Sequence, residues 1–178
     1  MITAEVYGRR VKLFWRFSKG QVRMIFTKNN ESMESRLWRW AGNMFPAYRR
    51  TGARVTYVAP DFHEVHIKIP SNWKTRNHMG IIWGGGLYAA LDPIFGVMLY
   101  KILGKKYRVI DRTAYIHFKR PGKSTLFARF RLSHNELESI HHALQATSKL
   151  KRVYEIDLVD KHGLIHATCE KELCIIAL

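Results

Sequence analysis

The sequence predicts an α+β domain in which a sheet encloses one long, buried helix. Three observations carry that expectation. Between Arg76 and Lys101 the chain runs for 24 residues without a Lys, Arg or Glu, and its one carboxylate there is Asp92. A helix that is apolar on every side belongs in the middle of a domain, wrapped by other elements. The segments around it alternate with period two, as half-buried strands do, and turn signals at Pro60-Asp61, Pro121-Gly122 and Asp160 to Gly163 separate them.

Taken in order, the chain opens on a basic region. Its first 50 residues hold 11 Lys or Arg against three Glu, half of the formal net charge of +16. Met1 to Lys19 reads as a basic helix with Ile2, Val6, Leu13, Phe14 and Phe17 near one stripe. Asn30 to Phe45 reads as a second helix, with Met33, Leu37, Trp38, Ala41 and Phe45 on its apolar side and Pro46 as its stop. Residues 1–50 are therefore expected to form a basic helical extension, and residues 51–178 the domain proper. Two amphipathic helices ahead of a sheet must cover something. The domain edge or a partner subunit would serve, and a basic face with interleaved Trp and Phe would also suit an anionic membrane surface.

Arg54 to Val58 and Val65 to Ile69 form the expected first hairpin. The apolar segment that follows is about long enough to cross a bilayer, for which roughly 20 residues suffice. Asp92, Pro93 and the run Gly84-Gly85-Gly86 within it favour a core helix instead. Beyond it, Ala114, Ile116 and Phe118 point one way and Tyr115, His117 and Lys119 the other. Leu126, Ala128, Phe130 and Leu132 then oppose Phe127, Arg129 and Arg131, and Tyr154, Ile156 and Leu158 alternate with Glu155 and Asp157. A last strand is expected from Leu164 to Ile176, with a short helix between Asn135 and Gln145.

At 178 residues the chain can bury a substantial single core. Cys169 and Cys174 lie too close on one expected strand to pair with each other, and neither has the neighbours of a zinc site. No metal or bound cofactor is expected. The start lacks the apolar stretch of a secretory signal, so a cytoplasmic location is expected. Net basic charge raises affinity for nucleic acid in general. The alternation at Phe127-Ala128-Arg129-Phe130-Arg131 is that of any exposed strand, and nucleic acid is not the expected partner.

Asp92 is where chemistry is expected. An ionised carboxylate taken out of water costs several kcal/mol or more unless paired or solvated, so one persists in an apolar helix where something uses it. A plainer role is also open: Asp before Pro93 makes a good N-cap and N1 pair for a helix segment starting there.

The spacing Asn77-x-x-Gly80-x-x-Trp83-Gly84-Gly85, with Asp92 nine positions after Trp83, resembles the signature of hotdog-fold acyl-CoA thioesterases of the phenylacetate-pathway type. A closer resemblance is to a hotdog branch known as a domain of unknown function. It rests on Asn77 to Pro93, Leu103 to Asp111 and Ile116 to Gly122, and covers about residues 50 to 176. The resemblance implies a curved antiparallel sheet of about five to six strands around the central helix, and homodimers or tetramers with active sites at the subunit interface.

It also implies roles. Asp92 would activate a water or attack the thioester, the Gly84 N–H would polarise its carbonyl, and Asn77 would help hold the thioester or the water. Free N–H groups at a helix start, with the helix dipole, do stabilise a developing oxyanion, and successive glycines admit a close backbone approach at Gly85. Asp111 would lie near a water-positioning hydroxyl of some relatives. Lys119, Arg120 and Lys123 would meet the phosphates of coenzyme A, which enters as part of the substrate.

Trp83 stands where the better-studied enzymes have His, and would wall or block the acyl pocket. Pro93 should kink the helix or end its first segment. The expected function is acyl-CoA hydrolysis, with a non-catalytic acyl-CoA-binding or lipid-binding protein as the alternative. Asn77 could instead close a turn, and Gly84 to Gly86 could instead serve helix packing.

Overall fold

The computed structural model describes residues 31–178 in full and residues 2–6 and 9–13 as backbone strands. One antiparallel sheet contains β1 (Ile2–Val6), β2 (Arg9–Leu13), β3 (Arg54–Val58), β4 (Glu64–Ile69), β5 (Tyr107–Phe118), β6 (Leu126–Arg131), β7 (Lys149–Val159) and β8 (Ile165–Ala177). The described helices are α1 (Met33–Met44), α2 (Pro46–Arg50), α3 (Gly84–Leu103) and α4 (His134–Ala146). The expected α+β architecture is present, with α3 as the central helix and α4 where a short helix was expected.

Neighbouring strands run β3-β4-β6-β7-β8-β5. β6 meets β7 at Phe127 and Val159, and further along that edge β1 takes over, with Thr3 opposite Val153. The long β7–β8 and β5–β8 ladders complete the sheet. β5 is longer than its alternation suggested, reaching back to Tyr107, because an irregularity between Asp111 and Thr113 interrupts its period.

The core forms where the two periodicities meet. Leu126, Ala128, Phe130 and Leu132 are all buried, as are Tyr154, Ile156 and Leu158. Against them α3 lays Leu87, Leu91, Ile94, Phe95, Met98 and Leu99. The Phe95 ring stacks on Tyr154 at 4.7 Å and meets Phe130 edge-on at 4.9 Å. By length and composition α3 could cross a bilayer, but this packing makes it the core helix of the sheet.

Two expectations are corrected. Met1 to Lys19 was expected to be a helix, yet Ile2–Val6 and Arg9–Leu13 pair as an antiparallel hairpin; residues 14–19 lie outside the described residues. β-branched Ile2, Thr3, Val6 and Val11 suit strands, and the open edge of β7 supplies a partner that no local pattern announces. Pro93 was expected to kink the helix or end its first segment; α3 does not end there but runs through it from Gly84 to Leu103, so Asp92 is no N-cap.

The second basic helix stands as α1, capped by Ser32, whose side chain accepts from the Ser35 N–H at 3.0 Å. Its Asn43 clasps β3: the side-chain amide donates to Val55 O at 2.9 Å and accepts from the Val55 N–H at 2.8 Å. This pairing occupies an edge strand and ties α1 to β3.

Candidate active site

The loop before α3 is built by its own side chains. Asn77 Oδ1 accepts from the N–H groups of Met79 at 3.0 Å and Ile81 at 3.4 Å, while the Asn77 N–H donates to Ile81 O at 2.9 Å. Gly80 takes a left-handed φ of 73° that this tight turn requires. The turn-closing role open to Asn77 is therefore filled by its Oδ1, while its Nδ2 carries no described bond. The Trp83 N–H donates to Thr75 O at 2.9 Å and starts the helix as its N-cap residue.

The first backbone bond within α3 is Leu87 N–H to Trp83 O, so the N–H groups of Gly84, Gly85 and Gly86 point out of the helix start. Two of the glycines let exposed aromatic rings pack close to the backbone. A Cβ at Gly85 would lie 2.5 Å from Cζ2 of the Trp83 indole, and one at Gly84 would lie 3.0 Å from Cζ of Phe118. Trp83 thus folds back over Gly85 and Gly86 as an exposed wall of the helix mouth.

Asp92 sits two and a half turns further along. Its Oδ1 accepts from the Tyr88 hydroxyl at 2.8 Å and from Nζ of Lys171 at 2.8 Å. Lys171, on β8, is wholly buried; its Nζ also lies 2.9 Å from Asp111 Oδ1 and donates to the backbone O of Asp92. One buried ammonium thus joins helix to sheet by binding both carboxylates. The irregularity in β5 falls beside Asp111 and lets it turn to Lys171. Burial, the Asp92 hydrogen bond and the carboxylate charge push the Tyr88 hydroxyl well above its usual value, so it acts as a donor. Lys171 was not anticipated: between Glu170 and Glu172 it reads as one more charge on an exposed strand.

Asp92 opens onto an apolar cavity of about 590 Å³ between α1, α2, β3, β4 and α3. Trp38, Phe45, Val58, Phe62, Val97 and Met98 line it. A second cleft, of about 390 Å³, lies at the start of α3 and is lined by Arg50, Lys74, Arg76, Asn77 and Trp83. Ala47, Thr51 and Ala89 line both.

Asp92 and Gly84 are eight positions apart on one helix, about 12 Å along its axis. One chain therefore cannot place the Gly84 N–H and the Asp92 carboxylate on the same carbonyl. Of the other anticipated residues, Lys119 donates to Thr168 Oγ1 at 2.6 Å and Arg120 to Ile165 O at 2.7 Å. Lys123 lies in a turn whose Gly122 O accepts from the Ile82 N–H at 2.8 Å, beside the mouth of α3.

Among the described residues, one group could hold a metal. Ligand atoms of Asp61, His63 and His134 lie within 4.8 Å of one another, although His63 Nδ1 is already bonded to Leu132 O. It shares no residue with the site around Asp92. Cys169 and Cys174 are free and buried, and burial pushes the Cys169 thiol up to about 11, so it is no nucleophile at neutral pH.

Residues 34–175 match the family described as Domain of unknown function (DUF4442). No curated protein matches the chain. Among solved structures, PA5026 of Pseudomonas aeruginosa, a protein of unknown function described as a probable thioesterase, superposes with a TM-score of 0.72 at 20% identity, covering 80% of this chain and 95% of that one. Thioesterase HI1161 of Haemophilus influenzae gives 0.61 at 16% identity, covering 83% and 93%. At these identities the likeness is one of fold, the hotdog arrangement of sheet and central helix that the sequence resemblance implied.

Proposed function

The chain belongs to the DUF4442 family, and on that premise we propose that it is an acyl-thioester hydrolase with Asp92 as its reacting carboxylate. The observation that carries this reading is the position of Asp92, the one acid of α3, tied by Oδ1 to buried Lys171 at the rim of an apolar cavity that is partly open to solvent. A cavity of this size suits an acyl chain, since pockets for small organic ligands run from about 300 to 1,000 Å³.

In the proposed reaction the acyl chain fills the cavity and the thioester carbonyl lies beside Asp92. Asp92 takes a proton from water as its oxygen bonds to the carbonyl carbon. The oxyanion is met by the Gly84 N–H of a second copy of the chain, because the eight-position separation keeps a chain's own Gly84 out of reach. Collapse breaks the carbon–sulfur bond, and the thiolate recovers the proton from Asp92 to leave a thiol and a carboxylic acid. Lys171 and Tyr88 are positioning residues: both bind Oδ1, which leaves Oδ2 for the water. Attack by the carboxylate itself would use the same geometry.

A second reading, acyl-thioester binding without turnover, is favoured by the Phe118 ring lying against Gly84 and the Trp83 indole over Gly85. The two separate by thiol release from a panel of acyl-CoA thioesters, measured for wild type and Asp92→Asn. Release by wild type that Asp92→Asn abolishes supports hydrolysis. Tight binding with no release by either supports the carrier.

A further inference from the structure

We infer that the basic cleft and the apolar cavity together hold one amphiphilic thioester, its phosphate-bearing carrier arm on Arg50, Lys74 and Arg76 and its acyl chain between α1 and α3. This rests on the thioester reading above and names where the carrier binds.

Three observations converge. First, the cleft gathers three cations and no carboxylate among its lining residues. Arg76 donates from Nε to Ser71 Oγ at 3.0 Å, Lys74 lies 5.1 Å from the Trp73 ring, and none of the three has an ion pair among the described residues. Uncompensated cations around a concave surface attract and orient an anion, and guanidinium groups match phosphate oxygens in particular.

Second, the cleft and the cavity are contiguous. Ala47, Thr51 and Ala89 line both, and on α3 the shared wall runs Gly86, Ala89, Pro93, one helical face from the basic end to the apolar end. The small side chains along that wall leave room for a narrow linker between a charged end and an apolar end. A thioester carried on phosphopantetheine has this form.

Third, two of the three cations expected from sequence are otherwise engaged. Lys119 donates to Thr168 Oγ1 and Arg120 to Ile165 O, and neither they nor Lys123 line the cleft. The phosphate end is thereby assigned to the loop before α3 and the end of α2.

The test compares wild type with the combined variant Arg50→Gln, Lys74→Gln, Arg76→Gln, whose three side chains are exposed and leave the core intact. Each is assayed on an acyl-CoA, on the same acyl group carried by phosphopantetheine on a carrier protein, and on the same acyl-pantetheine without phosphate. The proposal expects KM for the phosphate-bearing substrate to rise about tenfold or more, with kcat kept and with KM for acyl-pantetheine unchanged. Whichever of coenzyme A or carrier protein shows the effect is the source of the phosphate. An unchanged KM, or an equal rise for acyl-pantetheine, overturns the assignment. If wild type hydrolyses nothing, the hydrolase reading falls. The subsite is then judged by calorimetric binding of a non-hydrolysable acyl-CoA thioether, which the variant must weaken by a similar factor; equal affinity overturns it.

Discussion

Nζ of Lys171 lies 2.8 Å from Oδ1 of Asp92, and the ammonium is fully buried while the carboxylate is partly open to the cavity. A buried cation bound to two acids fixes the side chain that the proposed chemistry needs. It also makes the pair costly to break from the Lys171 side, because two neighbouring carboxylates then lose the cation they share.

Lys171→Met is therefore expected to destabilise the fold by about 1–3 kcal/mol, less than a fully buried pair because both acids are partly exposed. Adding Asp111→Asn to Lys171→Met should recover part of the loss, since it removes one uncompensated charge. Urea unfolding of the single and double variants measures this, and two additive losses would contradict the shared ion pair.

Asp92→Asn keeps the shape of the side chain and removes its basicity. Thiol release should fall about 100-fold or more, the scale of a lost general base, while affinity for a non-hydrolysable acyl-CoA analogue stays within a few-fold. Stopped-flow thiol detection and calorimetry report the two quantities separately.

Gly42 lies in α1 and lines the cavity, and a Cβ there meets nothing within 4 Å. Gly42→Leu should raise stability by up to about 1 kcal/mol through helix propensity and at the same time weaken binding of long acyl chains by filling their space. Opposite signs in the thermal midpoint and in acyl-chain affinity are the expected pair of results. Equal affinity for long and short chains would remove the cavity from the account.

Glu64 predicts acid behaviour away from the site. Burial raises its carboxyl, but hydrogen bonds from His66 at 2.6 Å and from Arg129 at 2.7 and 2.8 Å outweigh that and hold it down to about 2. A carboxyl lowered on folding contributes stability that is complete above about pH 4.5 and is lost as pH falls toward about 2, worth up to about 3 kcal/mol. Thermal midpoints of wild type should drop more steeply across that window than those of Glu64→Gln. Parallel curves would show that the cluster contributes little.

Much of this arrangement was legible in the sequence because it follows from local periodicity. The apolar run placed α3, and alternation at Leu126 to Leu132 placed the inner face of β6. The solitary charge marked Asp92. What could not be read depends on distant partners. Lys171 is buried because Asp92 and Asp111 come to it from another helix and strand. Arg152 and Glu136 are buried for the same reason, paired at 3.1 Å between β7 and α4. The strands at Ile2–Val6 and Arg9–Leu13 exist by pairing with each other and with the edge of β7, while a spacing such as Ile2 to Val6 fits a helix equally well. The cations of the basic cleft are brought together from α2 and from the loop before α3, which sequence proximity does not show.

The central claim is that Asp92 of one copy works with the Gly84 N–H of another, and subunit mixing tests it most directly. Gly84→Pro deletes that N–H at the first helix position, where the proline backbone fits and its Cβ needs the exposed Phe118 ring to give by a few tenths of an ångström, and Asp92→Asn deletes the carboxylate, so each variant alone should be inactive. Refolded together in equal amounts, they should recover about a quarter of wild-type thioesterase activity, because half of the randomly assorted dimers carry one intact site of two. An active wild type whose two variants stay inactive when mixed, or one that is fully active as a monomer, would contradict it.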